Sequence, residues 1–288
     1  MTDNDSGGEF SLLKNAPAVL RARGFRLYTQ NSRCLIDLWL NGGAAALGHT
    51  PPNILHELKN TASRGLYAPL PHFAENRFLK ALSQLLPNRV FRIYAAPPEE
   101  LALYTVNTDL HGLNGFTQIN KAEDRKSNVN LKLWRPYIDP SAPFTVDDTP
   151  LIIPVLPGIQ SWRSGLPLGL CVIAAASEEI IPHLPPNDIL PPVLLTAATR
   201  GVYNLLASPE RGKLALPRVN KALHNSRWQR KGIYLYLKEK PDNGTWVTLF
   251  NKFLEAGFLL PPIFTHPLIL PGELSDGEEA KLAQILLV

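Results

Sequence analysis

The chain has 288 residues, with 29 Lys and Arg against 25 Asp and Glu, and 45% of its residues are hydrophobic. That length buries a large core, and a net charge of +4 is too mild to mark a nucleic-acid binder, so Arg21-Ala22-Arg23 and Arg227, Arg230 and Lys231 read as solvated faces. No apolar run approaches the ~18 residues of a membrane span, and the polar Met1 to Glu9 lacks the apolar core of a secretory signal; the expected location is cytoplasmic.

Cys34 and Cys171 lie far apart and offer neither a disulfide framework nor a metal spacing, so they read as reduced thiols on buried strands. The 27 prolines are nearly double the usual share of about 5%, and their pairs cut the chain into short elements.

In chain order, Arg23 to Tyr28 and Cys34 to Leu38 alternate around a polar turn at Gln30-Asn31-Ser32, which predicts a β-hairpin. Thr50 is placed to cap a helix with Pro51 at its first position, Ile54, Leu55, Leu58 and Ala62 on one face, and Gly65 past its end. Glu75 heads a second helix with a Phe78, Leu79, Leu82, Leu85 and Leu86 stripe, stopped by Pro87, and Phe91 to Ala95 reads as a strand. From Ala95 to Thr149 the chain is polar, with a loop expected over Lys121 to Lys126.

Leu151 to Leu156 and Leu168 to Ala176 are apolar runs expected of strands covered on both faces, and Val193 to Ala207 has helical spacing. Ile233, Leu235 and Leu237 alternate with Tyr234, Tyr236 and Lys238, which predicts a half-exposed antiparallel strand after Gly232. Thr245 starts a helix carrying Trp246, Leu249, Phe250 and Phe253, closed by Gly257. Ser275-Asp276-Gly277-Glu278 is a capping box before a last helix.

The ordered series of hairpin, Gly42-Gly43, Leu47-Gly48-His49-Thr50-Pro51-Pro52, Arg64-Gly65-Leu66 and Glu75 resembles the opening of the class III aminotransferases, over residues 20–94. These are pyridoxal-phosphate enzymes of fold type I that include the glutamate-semialdehyde aminomutases. Glu255-Ala256-Gly257-Phe258-Leu259-Leu260-Pro261 and the capped last helix are similar to that family's C-terminal small domain. The resemblance implies an α/β chain with a shortened large domain over 51–215 and a smaller α+β domain built from 1–50 and 216–288. It also implies a dimer, with itself or with an intact aminotransferase-like chain.

Such an enzyme needs a phosphate cradle, an acid against the pyridine nitrogen and a lysine amine. The family's Ser-Gly-Thr-Glu cradle corresponds here to Ala96-Pro97-Pro98-Glu99, which lacks two N–H donors and a hydroxyl and adds a carboxylate. Leu151 to Pro157 followed by Arg163-Ser164-Gly165 resembles the segment bearing the pyridine acid, and Val155 stands in the aspartate's place.

There is no lysine between Lys132 and Lys213. Counting back from Pro167-Leu168-Gly169 puts Gln160 at the lysine position; the alternative is that its whole segment is deleted. Thr196 matches a family threonine that reaches the neighbouring subunit's phosphate, or is a packed hydroxyl in an apolar helix. His111 faintly resembles a stacking site, and otherwise sits in a turn.

With the cofactor site degenerate, the reading is a non-catalytic protein with a structural or regulatory role, no catalytic residue, no metal and no cofactor. The alternatives are a pyridoxal-phosphate aminotransferase or aminomutase using Lys121, Lys132 or Lys213, and a small-molecule binding module around Trp162 and Arg163.

Overall fold

The computed structural model describes residues 11–106, 129–157, 161–163, 166–168 and 170–287. The first half contains β1 (Val19–Arg23), β2 (Arg26–Thr29), β3 (Cys34–Asp37), α1 (Ile54–Ala62), α2 (Ala74–Leu85), β4 (Val90–Tyr94), β5 (Thr105–Val106) and β6 (Asn130–Trp134). There follow β7 (Leu151–Pro154), β8 (Ser161–Arg163), β9 (Leu166–Leu168), β10 (Cys171–Ala175) and α3 (Pro192–Leu206). The last part holds α4 (Pro217–Leu223), β11 (Trp228–Lys231), β12 (Tyr234–Leu237), α5 (Asn243–Glu255), β13 (Phe258–Leu259), β14 (Leu268–Ile269) and α6 (Asp276–Ile285).

The central sheet runs β4-β10-β7-β6-β5. Strands β5, β6 and β7 are parallel, and β10 is antiparallel to both of its neighbours. Successive side chains on one strand alternate between two cores. Ile152, Val172 and Ala174 join Phe78 and Leu82 of α2 and Leu195 and Val202 of α3. Leu151, Ile153, Cys171 and Ile173 join Tyr94, Leu101, Tyr104 and Ile181 on the other side. Both faces are covered, as the two apolar runs require. The second run is interrupted, because β9 pairs with β8 in a separate hairpin and the buried strand begins at Cys171.

The β2–β3 hairpin forms where expected, with β1 added on its outer side. Its inner edge pairs in parallel with β13, more than 200 residues on in sequence. Leu27 and Leu35 pack in one core with Phe250 and Phe253 of α5 and Leu282 of α6. Arg26 donates to both carboxylate oxygens of Glu278, at 2.9 and 2.6 Å, and Glu278 also completes the capping box of α6 with Ser275.

Several expectations are corrected. Cys34 is exposed beside the hairpin turn, because β3 becomes buried only from Leu35; Cys171 is buried as expected. Helix α1 begins at Ile54 after Asn53 at φ 63°, without a side-chain cap from Thr50 or Asn53. Its inner face is Ile54 and Thr61, while Leu55 and Ala62 point outward.

Strand β12 is buried along its whole length. Tyr234 and Tyr236 face the core of α2 and α3, Leu235 and Leu237 face the core of α5 and α6, and a strand between two cores has no wet side. Asp242, not Thr245, caps α5 by accepting the Thr245 N–H at 2.9 Å. The loop expected over Lys121 to Lys126 lies outside the described residues.

Glu278→Ala removes the carboxylate from both the cap and the Arg26 pair. Because the pair is one quarter exposed, we expect a loss of about 1–2 kcal/mol in urea unfolding. The Arg26 hydrogen bond holds the Glu278 carboxyl below its ordinary value, so this contribution is complete above the unfolded pKa and fades as the pH falls through the folded one.

Candidate functional site

The positions expected to hold a cofactor lie around the C-terminal ends of β4 and β7. After β7, Val155 donates its N–H to Trp134 O at 2.8 Å and has 0% exposure. What covers it is the turn at Leu40 to Gly43. All four residues there have positive φ, at 46°, 49°, 65° and 110°, so the backbone doubles back tightly. A Cβ on Gly43 would stand 3.1 Å from Val155 Cγ1 and 3.1 Å from Arg135 Nη1, so glycine lets this backbone approach closely.

Asp37 anchors the start of the turn, accepting from Trp39 N at 2.8 Å and Leu40 N at 2.9 Å, and its other oxygen meets His49 Nε2 at 2.9 Å. Two buried guanidinium groups fix the rest. Arg135 donates to Gly42 O, and Arg211 donates from Nε to Ala46 O at 2.8 Å and from Nη2 to Leu270 O. Burial lowers Arg211 to about 10, which leaves it charged at neutral pH. Tyr234 lies under Arg135, its ring centre 5.9 Å from the guanidinium carbon, and burial pushes its phenol up to about 12. Burial first, and the charge on Arg135 second, drive His266 down to about 3, so it is neutral in the folded protein.

After β4, the Ala95 N–H donates to the Asp188 carboxylate at 2.8 Å, Asn187 Oδ1 accepts from Ile93 N at 3.1 Å, and Tyr94 OH donates to Pro185 O at 2.7 Å. Ala96, Pro97, Pro98 and Glu99 follow, with Pro98 extended before a single 3₁₀ turn. Two prolines offer no N–H, the Ala95 donor is taken by the Asp188 carboxylate, and Glu99 adds a second carboxylate. A phosphate would find acceptors where it needs donors.

Thr196 lies away from these positions, on α3, where its hydroxyl is 3.0 Å from that of Thr61 and donates to Val193 O at 3.2 Å. Lys132 pairs with Asp147, and Lys213 with Glu210 at 3.3 Å, and both partners' side chains are more than half exposed. Gln160, Lys121 and His111 lie outside the described residues, as do the side chains of Trp162 and Arg163, whose backbone forms β8. The structure therefore brings Val155 beside the Leu40 to Gly43 turn but does not bring Thr196 or either described lysine to it.

The described residues at these positions do not fit pyridoxal phosphate. The position read as ring-facing is a buried valine under a glycine backbone, and the stretch read as the phosphate position holds prolines and a carboxylate. Sequence reasoning missed Arg135, Arg211, His266 and Asp188. The one local sign was Arg135 itself, which stands between Trp134 and Pro136 at the end of β6, where the neighbouring side chains are buried. Among the described residues no group of His, Cys, Asp and Glu could hold a metal ion, and no helix is long and apolar enough to cross a membrane.

No protein-family model matches the chain. An uncharacterized protein of Treponema pallidum (strain Nichols) is 25% identical over 297 aligned positions, covering 90% of this chain and 91% of the relative. Among solved structures, the ornithine delta-aminotransferase of Plasmodium falciparum superposes with a TM-score of 0.64 at 12% identity, covering 94% of this chain and 92% of that one. The acetylornithine aminotransferase of Elizabethkingia anophelis gives 0.63 at 12%, covering 94% and 93%. The chain has the fold of these aminotransferases.

His266 gives the cluster a pH signature. Its folded pKa lies below the unfolded value of about 6.5, so stability is complete above pH 6.5 and falls as the pH drops toward the folded value. Between pH 6.5 and 5 the loss from this group should be about 2 kcal/mol at 1.36 kcal/mol per unit. His266→Gln should flatten the urea-midpoint profile in that window.

Proposed function

We propose that this protein is an aminotransferase-fold protein with a shortened large domain and a smaller α+β domain, without pyridoxal-phosphate chemistry, acting in a structural or regulatory role. The observation that supports this most is Val155, which has no exposed surface and packs under Gly43; beside it, Asp188 takes the Ala95 N–H. A ring would displace the buried Val155, and a phosphate would meet carboxylates where it needs donors. The test is stoichiometric pyridoxal phosphate added to the purified protein, followed by borohydride. No saturable change in visible absorbance and no mass gain on any lysine is expected; one pyridoxyl group on Lys121, Lys132 or Lys213 overturns the reading in favour of an enzyme.

We also propose that the protein works as a dimer, with itself or with an intact aminotransferase-like chain. Gly42 and Gly43 are buried by the chain itself, so the contact falls to α1, the segment after it and the face of α3 that carries Thr196. Leu55, Tyr67, Leu70 and Phe73 are 62, 70, 46 and 53% exposed there, a concentration of large apolar side chains that a partner would cover. An obligate contact would bury more than about 2,000 Å². Light scattering should show twice the 31.9 kDa chain mass, or a stable complex with a second chain. A monomer at micromolar concentration that recovers no partner removes the scaffold role.

A further inference from the structure

We infer that the pocket between α1, α2 and α3 binds a small molecule through a phosphate group. This goes beyond the function proposed above and shares no residue with the closed site under Gly43; Glu57, Thr196 and Phe73 also belong to the face proposed for a partner, so the pocket is inferred to open beside that contact and not under it. The pocket has a volume of about 420 Å³, enough for a small metabolite, and is lined by Arg77 and Lys80 of α2, Thr196, Thr199 and Arg200 of α3, and Glu57 of α1.

Helical spacing builds it. Arg77 and Lys80 are three apart on one face of α2, and Thr196, Thr199 and Arg200 share one face of α3. Three cations against one carboxylate leave a charge of +2, the complement of a phosphate monoester at −1.5 to −2 near pH 7. No ion pair among the described residues engages Arg77, Lys80 or Arg200. Like charges three apart on a helix oppose each other, and a bound anion relieves that repulsion.

Two further features favour a preformed anion site. The Arg77 guanidinium lies 4.5 Å from the centre of the Phe73 ring, which limits its freedom before a ligand arrives. Arg200 Nε is shielded from solvent with no hydrogen-bond partner, a donor that an anion would satisfy. The Thr196 and Thr199 hydroxyls donate to Val193 O and Leu195 O, so recognition rests on the cations. Guanidinium groups pair with phosphate oxygens in a bidentate way, and a lysine adds a point charge.

The experiment is calorimetric titration of the full chain, in whatever assembly it adopts, with inorganic phosphate, with succinate, and with sodium chloride at matched ionic strength. Saturable phosphate binding is expected, with succinate at least tenfold weaker and chloride without effect. Arg77→Gln and Arg200→Gln should each weaken phosphate at least tenfold, and the exposed Lys80→Gln at least threefold, with unchanged circular dichroism. If Arg200→Gln does not fold, the exposed pair Arg77 and Lys80 decides. Absent or non-saturable phosphate binding, affinity unchanged in Arg77→Gln and Lys80→Gln, or succinate as tight as phosphate each overturn the inference. Because inorganic phosphate carries no aldehyde, failure here leaves the borohydride test of the cofactor site unaffected.

Discussion

Two buried arginines hold this molecule in its present form. Arg135 and Arg211 reach the inward-turned carbonyls of Gly42, Ala46 and Leu270, and so tie the Leu40 to Gly48 segment to the central sheet and to β14. That segment is costly to form, since left-handed backbone at Leu40 and Asn41 costs roughly 1–2 kcal/mol for each residue. Its carbonyls would otherwise be buried without donors, at about 1–3 kcal/mol each. The guanidinium groups supply those donors, and the carbonyl dipoles in turn solvate charges that have left water.

The same clasp decides the chemistry. With the turn held down, Gly43 lies on Val155, and the end of the central sheet becomes core. Arg135 then faces Tyr234 and depresses His266, so the group nearest in character to a general base is held neutral by burial and by a neighbouring charge. On the opposite edge, Asn187 and Asp188 use side-chain oxygens to finish the backbone of β4, which turns a place suited to an anion into one lined by acceptors. Arg77, Lys80 and Arg200, which no ion pair among the described residues engages, lie elsewhere, on α2 and α3.

These parts differ in how legible they are in the sequence. The capping box of α6, the β2–β3 hairpin and the stripe of α2 are set by residues within a few positions of one another, so their spacing is sufficient. The buried strands β7 and β10 were legible because covering both faces of a sheet demands an uninterrupted apolar run. Local reading failed wherever a distant segment decided the outcome. β12 looked half-exposed because a Tyr–Leu alternation is equally compatible with two cores, and only the packing of α2 and α3 on one side and α5 and α6 on the other makes it so. Cys34 looked buried because its strand is apolar, but the strand's first residue stands beside an open turn.

By itself, the sequence determined the α/β succession, the local caps and turns, and the chemical character of Ala96, Pro97, Pro98, Glu99 and Val155, because side-chain type and missing N–H groups are properties of single residues. Only the tertiary structure decided that Val155 is covered by Gly43, that Thr196 belongs to a different face, and that Arg77, Lys80 and Arg200 share one pocket. Those are relations between residues 93 to 165 positions apart, such as Ala95 with Asp188 and Arg211 with Ala46. The folded backbone alone brings such groups within hydrogen-bond range, where a burial cost or an unpaired charge takes its value.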